Sequence, residues 1–193
     1  MKTLVVLLLL GAVASAEPCK AKTCFELAVH VVPDVVTDDW ISTLEATANR
    51  HFAAVDAGFD EAARDALPAT ASHIVTRADR DAFAKLVTDS RIHVFVIGKL
   101  ENVDDPKVPV HGVTWRAKGK KYVIVASDSI DRVLAHELGH VFGLPHSTYQ
   151  ISIMNKTKRD DPPMDERRFS DEELALLRSS VKRLAKTLAN HAP

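Results

Sequence analysis

Three histidines and a glutamate, His136, Glu137, His140 and His146, are the residues of this chain whose types and spacing point most directly to chemistry. At 3.6 residues per turn, positions i and i+4 share one helix face, so His136 and His140 can point at one ion. Glu137 projects from a neighbouring face, where its carboxylate can reach a water at that ion and act as general base instead of filling the coordination sphere. Gly143 supplies the left-handed backbone that ends a helix cheaply, and Pro145 just beyond cannot continue one. A turn there brings His146 back as a third ligand. Three neutral nitrogens with an open fourth position describe a catalytic zinc site, not a closed structural one. Zinc so held lowers the pKa of a bound water towards about 7 and polarises a substrate carbonyl.

Eight residues after His146 comes Met154, in Ser152-Ile153-Met154-Asn155. The ordered set His-Glu-x-x-His-x-x-Gly-x-x-His followed by such a methionine resembles the signature and Met-turn of the metzincin zinc peptidases. The spacing, and Ser147 directly after the third histidine, resemble the matrixins (matrix-metalloprotease-like enzymes) in particular. The resemblance implies an α/β (α+β) metzincin or zincin-like fold: a twisted, mixed, mostly parallel sheet with an antiparallel edge strand, an active-site helix and a C-terminal helix. It also implies a zinc metalloendopeptidase with one catalytic Zn2+ on His136, His140 and His146, Glu137 as base and Met154 packed beneath. Peptide or protein substrate is then expected to add as a strand along an edge strand at Gly112, Val113 and Thr114. Lys156 departs from the pattern. It stands where astacins and serralysins place a tyrosine, so no tyrosine ligand is expected, and where matrixins usually carry a proline in the specificity-pocket wall. No glycine- and aspartate-rich loop of the kind that holds ions in vertebrate matrixins is present, so calcium is not indicated.

The elements that must position these residues are legible in part. Phe25 to Val32 alternates and reads as a first strand ended by Pro33. Thr37 or Asp38 can cap a helix from Asp39 to about Ala57 with an apolar stripe of Trp40, Ile41, Leu44, Ala48, Phe52 and Val55. Ala71 to Thr76 reads as a short strand and Ala78 to Thr88 as a short helix. Ile92-His93-Val94-Phe95-Val96-Ile97 is a nearly continuous apolar run, as in a strand covered on both faces. Lys99 to Pro109 reads as a loop, His111 to Trp115 as the edge strand and Tyr122 to Ala126 as the next strand. Asp128 or Ser129 is then expected to cap a ligand-bearing helix from Ile130 to Phe142. Asn155 to Arg168 reads as a polar loop, and Ser170 as the cap of a last helix with Asp171, Glu172 and Glu173 in its first turn. Phe169 to Leu174 resembles the start of the final matrixin helix. His30, His73, His93 and His111 have no partner at ligand spacing and read as packing or surface residues.

Length and composition frame this reading. The 193 residues are 46% hydrophobic with a formal net charge of −1, which fits one globular domain, here 25–193, and shows no basic block for nucleic acid or an anionic membrane surface. Lys2, the apolar run Leu4 to Leu10 and Ala14-Ser15-Ala16 match a secretory signal peptide over 1–16. The mature protein is therefore expected to be exported, extracellular or periplasmic, free of the membrane and monomeric. Segment 17–24 holds the only cysteines, Cys19 and Cys24, a close pair that in an exported protein reads as a disulfide. A thiolate capping the zinc is the rival role for that pair, but neither the matrixin propeptide motif nor a propeptide-length segment accompanies it. A catalytically silent zinc module that binds a peptide or an inhibitor in the same cleft is the rival function, against which the intact Glu137 argues.

Overall fold

The computed structural model describes residues 19–189; the expected signal peptide lies outside them. In chain order the elements are β1 (Thr23–Val31), α1 (Asp38–Phe52), β2 (Ala57–Ala66), β3 (His73–Ile74), α2 (Arg77–Ala82), β4 (Ile92–Ile97), β5 (Lys99–Leu100), β6 (Gly112–Ala117), β7 (Lys120–Ala126), α3 (Val133–Val141) and α4 (Asp171–Ala189). The main sheet has the order β2-β1-β4-β7-β6. Its β1–β2, β1–β4 and β4–β7 pairs are parallel, and β6 closes one edge antiparallel to β7. This is the mixed, mostly parallel sheet with an antiparallel edge strand that the metzincin resemblance implies.

The apolar run of β4 is buried at every position and occupies the centre of the sheet, as a strand covered on both faces must. One face carries Phe25, Leu27, Val29, Val94, Val96, Val123 and Val125 against α1, α3 and α4; the other carries Phe95, Ile97, Tyr122 and Ile124 against Phe83 and Ala84 after α2. Phe52, fully buried at the end of α1, meets Phe59 of β2, Phe142 after α3 and Phe169 before α4 at ring separations of 4.9, 5.4 and 5.2 Å. Such pairs add about 0.5–1.5 kcal/mol each beyond area burial, so this cluster ties α3 to both long helices. Thr37 Oγ1 caps α1 by accepting from Trp40 N at 3.2 Å. Among the described residues no helix is long and apolar enough to cross a membrane.

Several boundaries differ from the sequence expectation. The first long helix stops at Phe52, because a 3-10 turn over Ala53–Val55 and a left-handed Asp56 (φ 52°) redirect the chain into β2. That strand was unanticipated: its sequence, AGFDEAARDA, is poor in β-formers, and it pairs in parallel with all of β1, with one bulge between Leu27 and Ala28. The expected 71–76 strand shrinks to β3, which pairs with β5 inside the expected 99–109 loop. The expected 78–88 helix splits into α2 and a 3-10 turn over Phe83–Leu86. Helix α3 begins at Val133 with Arg132 in the N-cap place and no side-chain cap, so neither Asp128 nor Ser129 caps it; both lie before the N-cap position, and Asp128 is 3.1 Å from His111. His30 and His93 do pack in the core, but as a pair: their Nε2 and Nδ1 atoms lie 3.0 Å apart across β1 and β4. Cys19 and Cys24 are joined as a disulfide.

Candidate active site

Helix α3 carries His136 and His140 on one face and ends in a Schellman motif. Gly143 N donates to His140 O at 3.0 Å, Leu144 N donates to Gly139 O at 2.9 Å, and Gly143 takes φ 94°. That reversal brings His146 back over the helix. The three rings meet at centroid separations of 4.8, 5.3 and 4.7 Å, with one ligand nitrogen from each within 4.8 Å of the others. His140 Nε2 and His146 Nε2 are 3.3 Å apart. Two ligands about 2.1 Å from a tetrahedral zinc would be separated by roughly 3.4 Å, which the His140–His146 pair matches.

The tautomers follow from the backbone. His136 Nδ1 lies 2.7 Å from Ile153 O and His140 Nδ1 lies 2.7 Å from Leu144 O. A carbonyl can only accept, so both Nδ1 atoms carry the proton and both Nε2 atoms are left free for metal. Burial holds all three imidazoles below their ordinary range, His136 at about 4, which keeps them in the neutral form a metal requires. Positive charge adds to this: Lys121 acts on His140 and Lys156 on His146. Lys121 also donates to Val141 O at 2.9 Å, where a cation complements the negative end of α3.

Glu137 projects from the next face of α3, only 4% exposed, with Oε1 4.0 Å from His136 Nε2. Burial raises its pKa to about 7, opposed by a hydrogen bond from Thr114. Gly112 and Thr114 of β6 face this carboxylate, whereas Val113 packs into the second core. Strand β6 ends the sheet, so its outer edge has no strand partner among the described residues.

Met154 is fully buried beneath α3, with its Sδ 2.6 Å from where a Cβ on Gly139 would stand. Its turn is tied down by residues that spacing alone does not reveal. Met154 N donates to Ser152 Oγ at 2.8 Å, and that hydroxyl lies 2.7 Å from both carboxylate oxygens of Glu173. Glu173 in turn accepts from Ser170 N at 2.8 Å, and its own N donates to Ser170 Oγ at 3.3 Å, a capping box at the start of α4. The polar 155–168 segment is organised by guanidinium groups: Arg159 donates to the carbonyls of Gln150, Ser152, Asn155 and Thr157, and Arg167 to those of Arg159 and Pro162. The sequence signal for this, Ser-x-x-Glu opening an apolar run, accounts for the cap but not for its third member, Ser152. A cavity of about 610 Å3 opens between α1, the start of α3 and residues 164–169, and none of the four motif residues lines it. One other cluster of potential ligands occurs among the described residues, Cys19, Cys24 and Asp60, and its sulfurs are committed to the disulfide.

Comparison with solved structures places the fold among metzincin-type metallopeptidases. The archaemetzincin of Methanopyrus kandleri superposes with a TM-score of 0.56 at 15% identity, covering 82% of this chain and 96% of that one. Metalloproteinase-II from Bacteroides fragilis gives a TM-score of 0.57 at 11% identity, covering 86% of this chain and 55% of that one. No curated protein sequence matches. Residues 50–173, more than half of the chain and including all three histidines and Met154, match the matrixin family of peptidases, and the chain belongs to that family.

Proposed function

We propose that this chain is an exported zinc endopeptidase in which residues 25–193 form a single catalytic domain behind a signal peptide at 1–16. The observation that carries the reading is the convergence of three imidazoles, two with Nδ1 committed to backbone carbonyls, beside a buried glutamate. Zinc, when bound by His136, His140 and His146, supplies Lewis acidity to a substrate carbonyl and acidifies a water molecule. A peptide lies along the outer edge of β6, held by main-chain hydrogen bonds as an added strand. Glu137 takes a proton from the attacking water at Oε1, the oxygen turned towards the ligand histidines, and delivers it to the leaving amine. The carbonyl of Ile153 orients the first ligand, and Met154 packs against Gly139 between the two helical histidines.

Glu137→Gln preserves shape and removes the base. Zinc content is expected to stay at one ion per chain while cleavage of a peptide library falls by roughly 100-fold to 10,000-fold. Turnover retained by the variant overturns the mechanism. Cleavage that is absent from the wild type, or insensitive to a chelator, points instead to the silent binding module.

A further inference from the structure

We propose that Gly112 and Thr114 form a cradle that fixes the Glu137 carboxylate, with Thr114 a positioning residue for the reaction; this rests on Glu137 being the base. Residues two apart on a strand share a face, and both of these face α3. A Cβ on Gly112 would stand 2.6 Å from Val133 Cγ2, 3.1 Å from Glu137 Cγ and 3.2 Å from Glu137 Oε1. Only a glycine lets the strand approach the helix this closely. Thr114 fills the second place on that face: its Oγ1 lies 2.9 Å from Glu137 Oε2 and 2.7 Å from Glu137 O. One hydroxyl thus contacts both ends of the same residue. Oε2 is held on the strand side, and Oε1 is left facing His136 Nε2 at 4.0 Å.

The consequence is geometric. A glutamate has three side-chain torsions, and a base that samples them spends little time within reach of the attacking water. Here the strand that gives an added peptide its register also gives the base its register. The distance between the scissile carbonyl and Glu137 is then set by one rigid element. Thr114 is the one residue whose hydrogen bonds act on the Glu137 carboxylate among the described residues, through its hydroxyl and its backbone N–H; the hydroxyl is the side-chain contact that a substitution can remove.

The test compares Thr114→Val, which removes the hydroxyl at nearly constant shape, with Thr114→Ser, which keeps it. In crystals of the zinc-loaded wild type and Thr114→Ser, Glu137 is expected in one rotamer on the hydroxyl; in Thr114→Val it is expected to be displaced or split between rotamers. With a peptide whose cleavage is chelator-sensitive, Thr114→Val should lower kcat roughly 10-fold to 100-fold with KM and zinc content unchanged, and Thr114→Ser should restore it to within about threefold. In the Glu137→Gln background the valine should have no further effect. An unchanged Glu137 rotamer in Thr114→Val, or a wild-type kcat, overturns the cradle. If Thr114→Val does not fold, Thr114→Ala against Thr114→Ser makes the same comparison. A zinc-loaded wild type that cleaves nothing removes the peptidase reading, while the rotamer comparison still decides the cradle.

Discussion

Gly139 sits between His136 and His140 on α3, and replacing it with alanine tests how Met154 is seated. The added Cβ would lie 2.6 Å from Met154 Sδ, 3.2 Å from Met154 Cε and 3.3 Å from Phe169 Cε1. Attractive carbon contacts sit at about 3.5–4.0 Å, so the overlap with Met154 is close to 1 Å. Met154 is fully buried and Phe169 is 1% exposed, which leaves neither side chain an outward escape. Overpacking of this kind costs about 1–3 kcal/mol, whereas alanine in place of glycine inside a helix regains up to about 1 kcal/mol. Gly139→Ala alone should therefore lower stability by about 0–3 kcal/mol. Met154→Ala should cost about 2–5 kcal/mol through the cavity it leaves. With the thioether gone the clash goes with it, and Gly139→Ala should then stabilise by up to about 1 kcal/mol. Urea unfolding of the metal-free protein, with m-values compared across the four species, measures this change of sign as a coupling of about 1–3 kcal/mol. Equal effects of Gly139→Ala in both backgrounds would refute the contact.

Two further perturbations address groups around the site and at the far edge of the sheet. Glu45 is 8% exposed, and burial, followed by the negative charge of Glu61, raises its pKa from 4.5 to about 7. A carboxyl with a raised folded pKa keeps a proton that the unfolded chain has released, so stability falls as pH rises from about 4.5 to about 7. Glu45→Gln should flatten that slope and gain about 1–3 kcal/mol over wild type between pH 5 and pH 8; parallel pH–stability curves would count against it. Ser152→Ala removes the donor to Glu173 and the acceptor for Met154 N, and should cost about 1–3 kcal/mol, read by denaturant unfolding, with weaker zinc retention in a chelator competition. Unchanged stability and zinc retention would show that the turn holds itself.

The legible parts of this chain are those where a local period or an ordered motif carries the information. His136 to His146 encodes a helix, a reversal and a returning histidine within one short stretch, and β4 announces itself by a nearly continuous apolar run. What stayed hidden depends on partners distant in sequence. Strand β2 has the composition of a helix or a loop and becomes a strand because β1 offers a parallel ladder and α1 covers Ala57 and Phe59; its exposed remainder is charged, as an edge that must resist further pairing should be. The pairing of His30 with His93 spans 63 residues and leaves no local trace. Thr114 was placed on the correct edge strand, but the orientation of its side chain towards Glu137 follows from the sheet's packing on α3, which spacing does not encode.

The link from Ser152 through Glu173 to Ser170 has a consequence in time as well as in space. Ile153, whose carbonyl orients His136, also bonds through its N–H to Arg168 O at 3.2 Å, and the adjacent Met154 N rests on Ser152. A nascent chain that has exposed only its ligand histidines therefore lacks the floor that aligns them. Residues 168–173 complete the support under Ile153 and Met154, so a growing chain that stops short of them lacks the contacts that orient the His136 imidazole.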